Sequence, residues 1–202
     1  MIRDLDDTIA TMLANEAPLG SELAAADLRF DLPDGKWRSG VSKLTVNCYL
    51  YDIRENRELR QVEPVLRRSL DGLRASRLRP PVRVDCSYSI TAWSVATTDA
   101  VLEEHRLLSQ VLRVLFHNPS IPPADLVGSM QAQPAPYPGV AASPEGARNM
   151  PDFWRALDQQ LKPSLNYVVT IAMWPDPVPP DAALTPVVGS YDVVAAHLGE
   201  GP

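Results

Sequence analysis

Side chains that could do chemistry are few in this chain, and their spacing is poor for it. Histidine occurs only at His105, His117 and His197. Glu103-Glu104-His105 lays out half of a zinc-protease helix motif, but Ser109 stands where the second histidine would have to be, so no metal site is expected. Cys86 with His105 is the one thiol–imidazole pairing open to a small thiol-dependent hydrolase. Against that reading, Cys86 falls mid-strand on an apolar face, where a thiol is inert packing. Cys48 lies in a similar alternation, so buried thiols are favoured over a Cys48–Cys86 disulfide, which the spacing alone does not forbid. The carboxylate pairs Asp6-Asp7 and Glu103-Glu104 sit where helix ends and solvation account for them. The sequence has no G-x-x-x-x-G-K-[ST], G-x-G-x-x-G or G-x-S-x-G, and its ten glycines are scattered. The expectation is a non-enzyme without cofactor or metal.

The charged residues carry more pattern. The 202-residue chain has net charge −6, with 19 basic residues of which only Lys36, Lys43 and Lys162 are lysine. Arginine is favoured and lysine depleted at protein interfaces, although a GC-rich genome also yields excess Arg, Ala and Pro. Nine arginines and four acids fall between positions 54 and 83. A basic arm at about 54–83 on an acidic body is suited to self-association, because one copy's arm meets the next copy's body; a merely solvated loop is the equal alternative. Aromatics are 6% of the chain and do not alternate with the arginines as base-stacking platforms would, so nucleic acid is not an expected partner. No apolar run approaches the ~18 residues of a membrane span, and the acidic N-terminus is unlike a signal peptide. The chain reads as soluble and cytoplasmic at synthesis, with no membrane insertion.

Hydrophobic periodicity supplies the elements that would position these residues. The first 15 residues form an amphipathic helix with Ile2, Leu5, Ile9, Met12 and Leu13 on one face. Leu28, Phe30 and Leu32 alternate in a short strand ending at Pro33-Asp34-Gly35. A longer strand runs from about Lys43 to Arg54, with Leu44, Val46, Cys48 and Leu50 on one side. Pro64 and Gly72 interrupt the helical spacing within 54–83, which reads as a strand or hairpin extension followed by an irregular exposed arm. Val82 to Ala92 alternates strictly and predicts a strand. Thr97-Thr98-Asp99 offers cap chemistry for a helix to about Phe116, its apolar face formed by Val101, Leu102, His105, Leu108, Val111, Leu112 and Leu115 and its Glu103, Glu104, Arg106 and Arg113 directed outward. A Pro-rich loop occupies about 118–149, longer than compact domains usually hold. A short helix from Pro151 to Leu161 buries Phe153, Trp154, Leu157 and Leu161, and a strand follows over 165–173. A Pro-rich C-terminal tail at 176–202 carries a candidate edge strand over 187–194.

Six stretches, in order, resemble a known family: Ile2-Arg3-Asp4-Leu5; Leu50-Tyr51-Asp52-Ile53-Arg54-Glu55-Asn56; Arg79 to Asp85; Tyr88 to Trp93; Glu104 to Leu108; and Leu161-Lys162-Pro163-Ser164-Leu165-Asn166-Tyr167. The series is similar to the cap, or tail-terminator, proteins of phage-tail-like contractile injection systems, over about residues 1–175. The resemblance implies a single α/β (α+β) domain, a mixed, mostly antiparallel sheet flanked by two or three helices as in phage tail terminators. It further implies a homo-hexameric ring at the distal end of the particle that terminates inner-tube and sheath assembly, with tube and sheath subunits as partners. A baseplate or sheath-adaptor subunit of the same particle is the alternative. Arg54, Arg57, Arg60, Arg67 and Arg68 are the expected contact carriers, while Asp52, Arg54 and Asn56 have a competing role in stabilising a hairpin.

Overall fold

Three strands with period-two alternation form the frame of the computed structural model, which describes residues 1–134, 137–143, 150–157, 160–177 and 183–186. The chain divides into two compact units, one of residues 1–60 with 82–173 and one of residues 61–81 with the chain from Trp174 onward. In the first, β2 (Thr45–Glu55), β5 (Val82–Trp93) and β7 (Ser164–Met173) pair antiparallel at the centre of a five-stranded sheet. Short β1 (Asp27–Arg29) and β6 (Gly139–Ala141) take the edges, giving the order β1-β2-β5-β7-β6 with β1 alone parallel to its neighbour. This is the mixed, mostly antiparallel α/β architecture expected.

One face of the sheet supplies Val46, Cys48, Val84, Cys86, Tyr88, Ile90, Tyr167, Val169 and Ile171 to a single apolar core. Two long helices complete it. α1 (Ile2–Asn15) buries Leu5, Thr8, Ile9, Met12 and Leu13, and α4 (Ala100–His117) buries Leu107, Leu108, Val111, Val114 and Leu115. Between them lie two helices too short for a periodicity signal, α2 (Glu22–Ala25) and α3 (Gly35–Ser39); Ser21 and Asp34 cap them by accepting the backbone N–H of Ala24 and Trp37. On the opposite sheet face a smaller cluster joins Val41, Trp93 and Trp154, with Trp37 against it; Trp154 comes from α5 (Met150–Ala156).

Several expectations change. α4 is rotated from its predicted face: Glu104 is buried, while Val101, Leu102 and Phe116 are more than half exposed and His105 faces solvent. Its first turn is not capped by a side chain; Asp99 adopts a left-handed backbone, and its carbonyl accepts the Glu103 N–H. The short helix stops at Ala156, and Leu161 is 64% exposed rather than buried.

The described part of the Pro-rich stretch is packed, not loose. Thr8 Oγ1 accepts the Val127 N–H, the Tyr137 hydroxyl donates to the Met130 carbonyl, and Ile121, Met130 and Tyr137 join the core. The Gln133 side chain bonds both the N–H and the C=O of Ala172 (2.6 and 2.7 Å), acting as a one-residue strand beside β7. The expected edge strand at 187–194 lies outside the described residues.

In the second unit, 65–78 is not an irregular arm. β3 (Val65–Arg68) and β4 (Arg74–Leu78) form a hairpin, with β8 (Thr185–Pro186) beside β4. The residues read as helix breakers delimit it: Pro64 precedes β3, and Gly72 turns the chain at φ +71°. Ser69 and the Leu73 N–H both donate to Asp71, closing the turn.

Candidate interaction surface

The motif residues are mostly bonded to one another. Asn56 Nδ2 donates to both Asp85 carboxylate oxygens (3.1 and 3.2 Å), its Oδ1 accepts the Leu59 N–H, and Thr170 donates to the same Asp85 at 2.6 Å. Asn166 donates to the Tyr51 hydroxyl at 2.5 Å. β2 carries a bulge just at Tyr51. Leu50 pairs with Tyr88 but Asp52 with Ser87, so one extra residue enters β2 and the side-chain alternation reverses beyond it. Asp52 and Arg54 thereby share a face with Ser87 and Asp85, and they pair with each other at 2.6 Å.

Lys162 makes the most buried ion pair among the described residues. Its ammonium donates to Glu104 Oε2 at 2.6 Å and lies 4.2 Å from the centre of a Trp93 ring, while Glu104 Oε1 accepts the Ser94 N–H. Burial pulls the Lys162 ammonium below its ordinary range, with the bond to Glu104 opposing that. On the α1 side, the Tyr88 hydroxyl donates to Asp6 at 2.7 Å. Asp4 accepts the amide and hydroxyl of Ser129 and neighbours the N-terminal ammonium, which together hold its carboxyl at about 2. These links join α1, the central strands, α4 and the Pro-rich stretch. Asn56 and Asp52 are thus tied into the β2–β5 extension, Arg54 only through its exposed pair with Asp52.

The residues considered for catalysis are not assembled. Both cysteines are free and fully buried; burial, with Asp6 and Asp85 nearby, pushes the Cys86 thiol up to about 11. His105 faces solvent on α4. This overturns the Cys86–His105 hydrolase reading: a thiol held protonated in the core is neither accessible nor nucleophilic. Among the described residues no three His, Cys, Asp or Glu gather where a metal could be held; His197 lies outside them.

The five arginines fall into two groups. Arg54, Arg57 and Arg60 are exposed at the end of β2 and just beyond it, in the first unit. Arg60 is forked onto Glu55 (2.7 and 2.6 Å). Arg67 and Arg68 belong to the hairpin of the second unit and, being consecutive in a strand, point to opposite faces. Arg68 is exposed on the face that also carries Leu66 and, diagonally, Arg77; Arg67 is half-buried on the other. Sequence reading missed exposed apolar side chains in each unit. Leu70 and Leu73 at the hairpin turn are 103% and 68% exposed, and Leu102 and Phe116 on α4 are 56% and 62% exposed.

Among the described residues, this mixed sheet with its buried polar ties carries arginines and apolar knobs as outward features. The chain belongs to the Pvc16 N-terminal domain family, which matches residues 4–187. Two solved structures are similar to it. One is the sheath/tube terminator, in its extended state, of the PVC extracellular contractile injection system, at TM-score 0.64 and 26% identity, covering 96% of this chain and 63% of that one. The other is the tube-terminating cap of the anti-feeding prophage, at TM-score 0.62 and 26% identity, covering 96% and 62%. The chain thus spans less than two thirds of either terminator. No curated protein matches its sequence. No described helix is long and apolar enough to cross a membrane.

Proposed function

We propose that this protein is a structural cap that stops growth of the inner tube and sheath at the distal end of a contractile injection particle. The observation that carries the reading is the likeness of 96% of the chain to two proteins that terminate such tubes or sheaths. The action is geometric and non-enzymatic: the cap presents a surface complementary to the last ring of subunits and none for another. It is made in the cytoplasm and works as a homo-hexamer, a closed ring with heterologous contacts. Arg54, Arg57, Arg60, Arg67 and Arg68 carry contacts to the acidic surface of a neighbouring copy or of a tube or sheath subunit. Support for that assignment comes from the excess positive charge of 54–83 against a chain of net charge −6, and from the exposure of Arg57 and Arg68.

Electron microscopy of particles from a strain lacking this gene tests the function. Over-long, irregular or open-ended sheaths, or loss of extended particles, are expected; particles of normal length with closed ends overturn it. For the ring, native mass measurement of wild type and the Arg67→Glu/Arg68→Glu variant is decisive. The expected result is a hexamer that the variant forms poorly while keeping its circular dichroism. An unchanged ring removes the hairpin arginines from the contact.

A further inference from the structure

The solvent side of α4 has the residue pattern of a helix-packing seam, with Leu102, His105, Ser109 and Phe116 exposed and Leu112 partly covered. Leu102, His105, Ser109, Leu112 and Phe116 are spaced three, four, three and four residues apart, the repeat that keeps one stripe of a helix facing a partner helix. The stripe runs nearly the length of the helix. It carries two shallow hollows that meet at Ser109, one lined by Leu102, His105 and Arg113, the other by Leu112, Phe116 and His117. The small Ser109 between the larger His105 and Leu112 leaves room for an incoming side chain at the middle of the seam. Arg106 and Arg113, seven residues apart, run along one flank. The carboxylates of α4 are directed elsewhere: Glu104 is bonded to Lys162, and Glu103 accepts from Ser94. At the seam's edge Glu22 is held by Arg106 at 3.1 Å and by Gln110.

We infer that this face binds an amphipathic helix of another protein whose flanking positions carry carboxylates opposite Arg106 and Arg113. Charge decides the occupant. A second copy pairing antiparallel through α4, centred on Ser109, would set Arg106 beside its partner's Arg113, a like-charge contact on the flank of an apolar seam. Nor does another described helix of this chain fit. The apolar stripe of α1 is buried in its own core, and α2, α3 and α5 span at most seven residues each. No other described helix is left to fill the seam, and the docking is an amphipathic helix laid along an exposed helix face, read by anchors at three- and four-residue spacing. The inference does not depend on the cap reading.

The test uses the full-length protein and two synthetic, fluorescently labelled amphipathic helices. Both carry leucine at a and d, one with glutamate and the other with lysine at the flanking positions, titrated by anisotropy. The glutamate helix is expected to bind saturably and at least about fivefold more tightly than the lysine helix, as two rim ion pairs allow. Arg113→Glu should reverse that preference, and Leu102→Asp/Phe116→Asp should abolish binding without changing the melting temperature, since both side chains are exposed. Equal affinity for the two helices, or binding unaffected by the double substitution, overturns the inference. So does concentration-dependent self-association of the wild type that the double substitution removes, because the face then pairs with a second copy. In the producing strain, a photo-crosslinking residue at Ser109 should attach to a different protein through a segment with acid-flanked heptad spacing. Attachment to a second copy, or to a segment without that pattern, overturns it equally.

Discussion

The two long helices of the first unit were equally readable as amphipathic, and they came out differently. In α1 every residue of the predicted stripe except the half-buried Ile2 is in the core, and its polar side chains Asp4, Asp6 and Thr8 each meet a partner from a distant part of the chain. In α4 a glutamate is buried at 8% exposure, while two residues earlier a leucine is 56% exposed. The difference lies in how much of each helix is apolar. α1 has one apolar stripe and so one way to turn. α4 has apolar residues around most of its circumference, so burial of apolar area does not select a rotation. The choice falls to the polar groups waiting on the body: Lys162, held over the Trp93 ring, and the Ser94 N–H can satisfy Glu104 and nothing apolar.

That contrast can be broken most forcefully at Lys162. Lys162→Ala should lower stability by about 3–5 kcal/mol, the usual consequence of leaving one member of a buried ion pair uncompensated. Chemical denaturation measures it. Glu104→Leu/Lys162→Leu, removing both charges, should recover most of the loss. A Lys162→Ala loss under about 1 kcal/mol would mean that apolar packing alone orients α4.

On the α1 side, Gly128 is the sensitive position. It has φ +56°, and a Cβ there would stand 2.9 Å from the Asp4 carboxyl carbon. Gly128→Ala should cost about 1–2 kcal/mol from backbone handedness alone, with displacement of Asp4 added to that. An unchanged denaturation midpoint would show that the Asp4–Ser129 link does not hold the Pro-rich stretch on α1.

Acid titration isolates the same link. The Asp4 carboxyl is depressed to about 2, so its contribution is fully present above the ordinary carboxylate range and is lost as pH falls from about 4 through 2. Asp6, raised by burial, works in the opposite sense. Asp4→Asn should therefore flatten the fall in melting temperature over that window; an identical slope in the variant would assign the acid sensitivity elsewhere.

The smallest effect is expected on the solvent side of α4. Leu102→Ser/Phe116→Ser should change stability by no more than about 0.5 kcal/mol, as exposed positions usually do. A loss several times larger would show that these side chains are covered in the folded protein.

How much of the fold was legible follows from where period and burial agree. β2, β5 and β7 were placed within a residue or two because each alternates over many residues. The five-stranded sheet and its helices follow from those strands and from α1. The strands of the second unit's hairpin could not be placed from the sequence, since β3 and β4 are four and five residues long with Leu66, Arg68, Arg74 and Arg77 exposed. A strand with so little buried alternation leaves no period-two trace. Leu161 was assigned to a helix by the same spacing rule that placed Trp154, but the helix ends at Ala156. Of the candidate site, the arginines were visible as composition. The exposed stripe of α4 was not, because the reading that buried Val101 and Leu102 was the natural one for apolar residues.

By itself, the amino-acid sequence determined the alternating strands, the N-terminal helix, the absence of the usual nucleotide and hydrolase motifs, and six short stretches that mark a family. Those properties are local: each depends on the order of apolar and polar side chains within one element, and a period of 2 or 3.6 is written into that order. Only the tertiary structure decided that five of the six stretches are linked to one another, that Cys86 is sealed in the core, and that α4 turns Glu104 inward and Phe116 outward. Such choices depend on which side chains arrive from elsewhere in the chain. A buried charge is tolerated where a partner and a hydrogen-bond donor meet it, and the apolar residues displaced by that choice are left for another molecule to cover.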